Sequence, residues 1–172
     1  MKYLIASDLH GSSFYVSKLE KIIEKEHPDK IILLGDLLYH GPRNHLPEEY
    51  DTMKVIDILN KYKDSIIAVR GNCDAEVDQM VLDFPIMDDY KLLEIDGLKW
   101  CLTHGHINDR VPHQDAILIQ GHTHAYSLTP TFMNPGSISI PKQHPEHTFI
   151  LYENRYFQLV DLEGNKLEEL SL

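Results

Sequence analysis

The chain has 172 residues, 42% of them hydrophobic and 25% charged, and its 16 Lys+Arg against 27 Asp+Glu leave a formal charge of −11. That size and composition fit one globular domain over residues 1–172, and the acidic balance argues against a surface built to follow a nucleic-acid backbone, which needs a basic stripe. No apolar run approaches the ~20 residues of a membrane span, the N-terminal apolar segment is too short for a signal peptide, and Cys73 and Cys101 make no disulfide framework, so a cytoplasmic protein is expected.

In chain order, "KYLIAS" (2–7) reads as a short buried strand. Residues 13–26 place Val16, Leu19, Ile22 and Ile23 at helical spacing, with Ser12 or Ser13 as N-cap and Pro28 past the end. "KIILL" (30–34) is a second strand. Residues 48–63 read as a helix with Met53, Ile56 and Leu59 on one face, "SIIAV" (65–69) as a third strand, and a short helix is expected after Asp74. The texture then changes. "YKLLEI" and "LKWCLT" flank Asp96-Gly97, a two-residue hairpin signal, and "AILI" (116–119) is a further strand. "SLTPTFM", "HTFILYE", "RYFQLVD" and "KLEELSL" are strand-like runs, the last three separated by turns at Glu153-Asn154 and Glu163-Gly164-Asn165. A βαβαβ half followed by a mostly antiparallel half implies two sheets packed face to face with helices outside.

Five strand ends carry polar residues of one chemical kind. "YLIAS" runs into Asp8-Leu9-His10-Gly11, "IILL" into Gly35-Asp36, "IIAV" into Arg70-Gly71-Asn72-Cys73-Asp74, "WCLT" into His104-Gly105-His106, and "AILIQ" into Gly121-His122-Thr123-His124. Carboxyl ends of strands line the ligand crevice of α/β sheets. Any one of these short motifs alone reads as a turn or a cap, but five together point to a metal site. Side chains two apart on an extended backbone share a side, so Asp8 is expected to converge with His10, and His122 with His124. Carboxylate, amide and imidazole donors without thiolate suit Mn²⁺, Fe, Ni²⁺, Co²⁺ or Zn²⁺, and seven candidate ligands exceed what one catalytic ion uses. Two ions are therefore expected, an arrangement that commonly cleaves phosphoesters.

Together these motifs resemble the calcineurin-like metallophosphoesterases, whose signature runs D-x-H, G-D, G-N-H-[DE], a later H, and G-H-x-H. Here it reads Asp8-x-His10, Gly35-Asp36, Gly71-Asn72-Cys73-Asp74, His104 and Gly121-His122-Thr123-His124. The Cys in the third motif, the short chain and "NPGS" (134–137) are similar to the bacterial YfcE-type phosphodiesterases, and more distantly to the retromer subunit of the same fold.

The resemblance implies a four-layer αββα sandwich of two mixed β-sheets flanked by helices. It implies that Asp8, His10 and His124 bind a first ion, that Asn72, His104 and His122 bind a second, and that Asp36 bridges them, with Mn²⁺ the favoured metal. Water acidified between the ions would attack phosphorus in line, with Asn72 helping to stabilise the oxyanions. The implied activity is phosphodiester hydrolysis of a small organic substrate; a phosphomonoesterase or nucleotidase is the alternative, followed by a non-catalytic scaffold, and a homo-oligomer stays open. Cys73 stands where the wider family has a histidine that assists the reacting phosphate. A thiol of pKa ~8.5 is the poorer proton donor, so either the substrate has an acidic leaving group or His40 or His106 supplies the proton. Arg43, Arg70 and Arg110 are further candidates for phosphate contact, Asp74 is expected to cap the next helix or orient a ligand, and "NPGS" to form a turn beneath the site.

Overall fold

The first half folds as a parallel β–α–β–α–β unit because its strands are apolar on both faces and its helices on one. A computed structural model describes residues 1–172. The unit comprises β1 (Lys2–Ala6), α1 (Ser13–Glu26), β2 (Lys30–Leu33), α2 (Thr52–Lys61) and β3 (Ile66–Ala68), followed by the short α3 (Glu76–Gln79). α1 keeps the expected bounds because both ends are capped: the Ser12 hydroxyl accepts from the Tyr15 amide, and His27 turns left-handed to donate its N–H to Ile23. α2 is shorter than the 48–63 expected. Asp51 is its N-cap, accepting from Lys54 N–H at 3.1 Å, and the buried stripe runs through Val55, Ile56, Ile58 and Leu59. Met53, expected on that stripe, is 65% exposed.

The second half supplies β4 (Tyr90–Ile95), β5 (Leu98–Thr103), a 3-10 turn (Asn108–Arg110), β6 (Ile117–Ile119), β7 (Ser127–Leu128), β8 (Phe132–Asn134), β9 (Thr148–Glu153), β10 (Tyr156–Asp161) and β11 (Lys166–Ser171). "SLTPTFM" breaks into two strands, since the Thr129 hydroxyl bonds both the N–H and the C=O of Phe132 and closes a turn at Pro130.

Two mixed sheets result, in the orders β11-β10-β9-β1-β2-β3 and β4-β5-β6-β8-β7. β1 lies between parallel β2 and antiparallel β9, so the two halves of the sequence meet at its edges. Along β1, Leu4 and Ala6 face α1 and α2, while Tyr3 and Ile5 face the other sheet. The layers are unequal. Two helices cover the first sheet, whereas the outer face of the second carries a small cluster, Cys101, Val111 and Leu118, under the segment of the 3-10 turn. No helix is long and apolar enough to cross a membrane.

Between the sheets, Trp100 is fully buried, with ring centroids 4.7 Å from Tyr152, 5.7 Å from Tyr3 and 5.5 Å from Phe157. Its indole N–H lacks a partner, so its contribution comes from packing. Trp100→Ala is expected to lower stability by about 3–5 kcal/mol in urea denaturation. A loss below about 1 kcal/mol would show that this ring does not organise the contact between the sheets.

Candidate metal centre

The sheet strands stop short of the polar residues, and the chain then bends sharply. Asp8, His10, Asp36, His122 and His124 all have positive φ, from 46° to 68°. Asp and His tolerate this left-handed region better than most residues, though at a cost. The extended-backbone reading of the two D-x-H and H-x-H pairs is thereby corrected. Asp8 and His10 do converge, but by successive left-handed bends. His122 and His124 diverge: His124 joins Asp8 and His10, while the His122 ring lies 5.0 Å from that of His104.

Main-chain bonds lock the bends together, with Asp8 N–H donating to Gly35 at 3.1 Å and His10 N–H to Asp36 at 2.9 Å. Gly71 is required where two loops cross, since a Cβ there would overlap the Asp36 carboxylate. Asp74 ties the same crossing. Its carboxylate accepts from the amides of Asp36 (2.8 Å), Leu37 (2.8 Å) and Gly71 (2.7 Å). Of its two expected roles it therefore takes the orienting one, and Ala75 occupies the N-cap position of α3.

The histidine tautomers follow from their partners. His10 Nδ1 lies 2.8 Å from the Tyr39 carbonyl, His104 Nδ1 2.6 Å from Leu34, and His124 Nδ1 2.6 Å from Ile140. A carbonyl only accepts, so each Nδ1 carries a hydrogen, and each Nε2 turns a lone pair inward. Inward, acceptors meet acceptors. His10 Nε2 lies 3.3 Å from His124 Nε2, and Asp8 Oδ1 lies 3.2 Å from the latter while lacking a hydrogen-bond donor. On the other side, His104 Nε2 faces Asn72 Oδ1 at 3.0 Å. Asp36 Oδ2 stands between the two groups, 3.7 Å from His10 Nε2 and 3.4 Å from His104 Nε2, while its Oδ1 accepts from Cys73 N–H. Protons or cations must lie among these lone pairs, and the donor set of imidazole, carboxylate and amide oxygen fits divalent metal ions.

Electrostatics agree. Burial alone would raise the Asp8 pKa, but His10 and His124, once their Nε2 atoms are protonated, and the charge of His104 hold it far below the carboxylate range. Burial would likewise depress the His104 imidazolium, yet the hydrogen bond to Asp36 and the charges of Asp8 and Asp36 outweigh it and lift the pKa to about 9. His106 and His122 move down, by burial first and by the charge of His104 second. Burial and Asp36 push the Cys73 thiol up to about 12, so it is neither a thiolate nor a ready proton donor at neutral pH.

A cavity of about 300 Å³ opens over the cluster, lined by His10, Asp36, Asn72, Cys73, His122 and His124 with Arg43 and Lys142. A larger cavity of about 760 Å³ lies by β4 and the 3-10 segment and includes none of these acidic and histidine groups. His40 does not line the metal cavity; its ring packs against Tyr39 and Tyr50. His106 is exposed, 5.4 Å from the His104 ring. Arg70 bonds the Asp74 carbonyl and faces Glu76, and Arg110 faces Asp109, both outside the cavity lining. Ser137, the last residue of "NPGS", does lie beneath the site: its hydroxyl and that of Ser139, which sequence reasoning missed along with Lys142, both donate to the Asp8 carbonyl. The run "NPGSIS" held the signal for the serines. Within it, Asn134 braces Gly121 and Thr123, and the His124 ring is held further along the chain, by Ile140.

The Calcineurin-like phosphoesterase superfamily domain matches residues 1–155. Phosphodiesterase YfcE of Escherichia coli K12 is 38% identical over 97% of this chain and 95% of its own length. The chain belongs to the calcineurin-like phosphoesterase superfamily. It is accordingly a hydrolase of phosphoric ester bonds, and the two-sheet fold is that of the metallophosphoesterases. The solved structure of the Escherichia coli YfcE phosphoesterase superposes with a TM-score of 0.91 at 36% identity over 99% of both chains. Vps29 of Entamoeba histolytica, at 18% identity and a TM-score of 0.66 over 100% of this chain and 99% of its own, shares the fold alone.

Two predictions test this metallophosphoesterase centre without an activity assay. Asp74→Ala would strand three main-chain N–H groups and is expected to cost about 3 kcal/mol or more in chelator-treated protein by urea denaturation; a cost under about 1 kcal/mol would contradict the bracing role. His104 has a folded pKa above its unfolded one, so its stabilisation is full below about 6.5 and is lost as pH rises through about 9. The melting temperature of the metal-free protein is expected to fall across that window, and the fall to flatten in His104→Gln.

Proposed function

We propose that this chain is a metal-dependent phosphodiesterase that hydrolyses a small organic phosphodiester with two divalent ions. The observation that carries the reading is the position of Asp36 Oδ2 between two groups of inward-facing acceptors, Asp8–His10–His124 and Asn72–His104, with His122 beside the second. A carboxylate so placed can be shared by two ions. Diester cleavage is the activity in the names of Escherichia coli YfcE and of phosphodiesterase MJ0936 of Methanocaldococcus jannaschii, the latter 28% identical over 72% of this chain and 74% of its own length.

Divalent ions bound there supply Lewis-acid charge and acidify water. The protein's own part is positioning. His10, His104 and His124 hold their Nε2 atoms inward through main-chain bonds, and Asn72, exposed at the rim, can turn its amide to a phosphoryl oxygen. His106, whose lowered pKa leaves little imidazolium at neutral pH, and Cys73, whose raised pKa makes its thiol a weak acid, are poor proton donors to the leaving group, which favours acidic alcohols. The nitrogen-and-oxygen donor set suits Mn²⁺, Fe, Ni²⁺, Co²⁺ or Zn²⁺, and the likeness to the metallophosphoesterases is what puts Mn²⁺ first. Free Cys73 and Cys101 accord with a reducing cytoplasm, and the −11 charge accords with a small substrate rather than nucleic acid.

Elemental analysis of Mn²⁺-reconstituted protein is expected to give two ions per chain. Asp36→Ala is expected to retain fewer and to lose about 10³-fold or more in kcat on bis(4-nitrophenyl) phosphate, as for loss of a principal charge-stabilising group. Two retained ions with native turnover would refute the shared carboxylate.

A further inference from the structure

Next to the metal cavity lies a second, apolar groove of about 430 Å³, within the ~300–1,000 Å³ range of small-ligand clefts. The Cys73 side of the centre belongs to the lining of both cavities. Eight of the ten lining residues are hydrophobic. Three of them, Tyr39, Val77 and Val81, stand 42%, 63% and 41% exposed, where lone surface apolar groups need no account but a contiguous set beside a reaction centre does. The groove has a single ionisable carboxylate, Asp78, and that one accepts from the Ala75 amide. No lysine or arginine lines it.

The groove is also fixed in place relative to the chemistry. The Tyr39 carbonyl holds His10 Nδ1 at 2.8 Å, and Cys73 N–H is held by Asp36 at 2.8 Å. One wall thus hangs on each side of the acceptor cluster. The lining of the metal cavity also includes Arg43 and Lys142, neither of which forms an ion pair with any carboxylate of this acidic chain. The site therefore combines a cavity with two cations and the acceptor cluster with an adjoining apolar groove.

We infer that the groove between Tyr39, Val77 and Val81 is a substrate subsite, and that it seats an alkyl or aryl group esterified to the phosphate held over the Asp36 cluster. The inference rests on the phosphodiesterase reading and narrows its substrate to diesters with one apolar alcohol. Continuity through Cys73 is what commits the groove to the substrate rather than to a separate partner. The small Cys73 side chain is the point at which the two linings join.

The test is a series of 4-nitrophenyl phosphodiesters whose second alcohol is methyl, butyl, hexyl or phenol, assayed with the full Mn²⁺-loaded chain. Each methylene moved from water into the groove is worth up to about fourfold in kcat/KM. A rise of at least about tenfold from methyl to hexyl is expected on that basis. The exposed-site variants Val77→Asn and Val81→Asn are expected to erase most of that rise. A flat series with normal methyl turnover would overturn the subsite and leave the phosphodiesterase reading intact. Failure to cleave any diester, methyl included, would overturn both. Sedimentation showing that the groove is closed between two copies, which the same variants separate, would also overturn the subsite.

Discussion

A cluster of hydrogen-bond acceptors buried face to face is the constraint on which this architecture turns. Carboxylate oxygens of Asp8 and Asp36, imidazole nitrogens of His10, His104 and His124, and the amide oxygen of Asn72 lie close together and cannot bond one another while the Nε2 atoms are unprotonated. Such an arrangement is unfavourable unless protons or cations sit within it. The raised pKa of His104 and the depressed one of Asp8 show how the chain holds it together with protons alone. Divalent ions do so at higher charge density, and metal uptake should release those protons.

The surroundings can be understood as the means of keeping that cluster in place. Three main-chain carbonyls, from Leu34, Tyr39 and Ile140, fix the ring orientations from behind. Asp74 gathers the amides of two crossing loops, and Ser137 and Ser139 hold the Asp8 carbonyl from a third segment. Five left-handed residues in the candidate ligand set store strain that an isolated loop would relax. The two-sheet core, packed around Trp100, supplies the rigidity that prevents it.

Much of this was legible in the sequence, for identifiable reasons. α1 was readable to its end because Ser12 and Pro28 bracket one apolar stripe, and the hairpin at Asp96-Gly97 because its turn chemistry is local. The candidate ligands were legible as residue types following apolar runs. Their grouping was not, because periodicity describes extended chain and these residues are left-handed, so His122 and His124 part where alternation would pair them. The start of α2 was obscured by Glu48 and Glu49, which are good helix formers that lie outside the helix once Asp51 caps it. Ser137, Ser139 and Lys142 act from a loop with no periodic signal, through contacts spanning more than a hundred positions for the serines. The likeness to known phosphoesterases located the motifs, but only the folded geometry separates a braced Asp74 from a helix cap.

The position of β9 has a further consequence. Although every candidate ligand lies at or before His124, β1 is flanked on one edge by a strand that begins only at Thr148. As the chain emerges from the ribosome, the loop bearing Asp8 and His10 therefore waits on one of the last segments synthesised before its supporting sheet is complete. A nascent chain holds all seven candidate donors in sequence long before it can present them in one place.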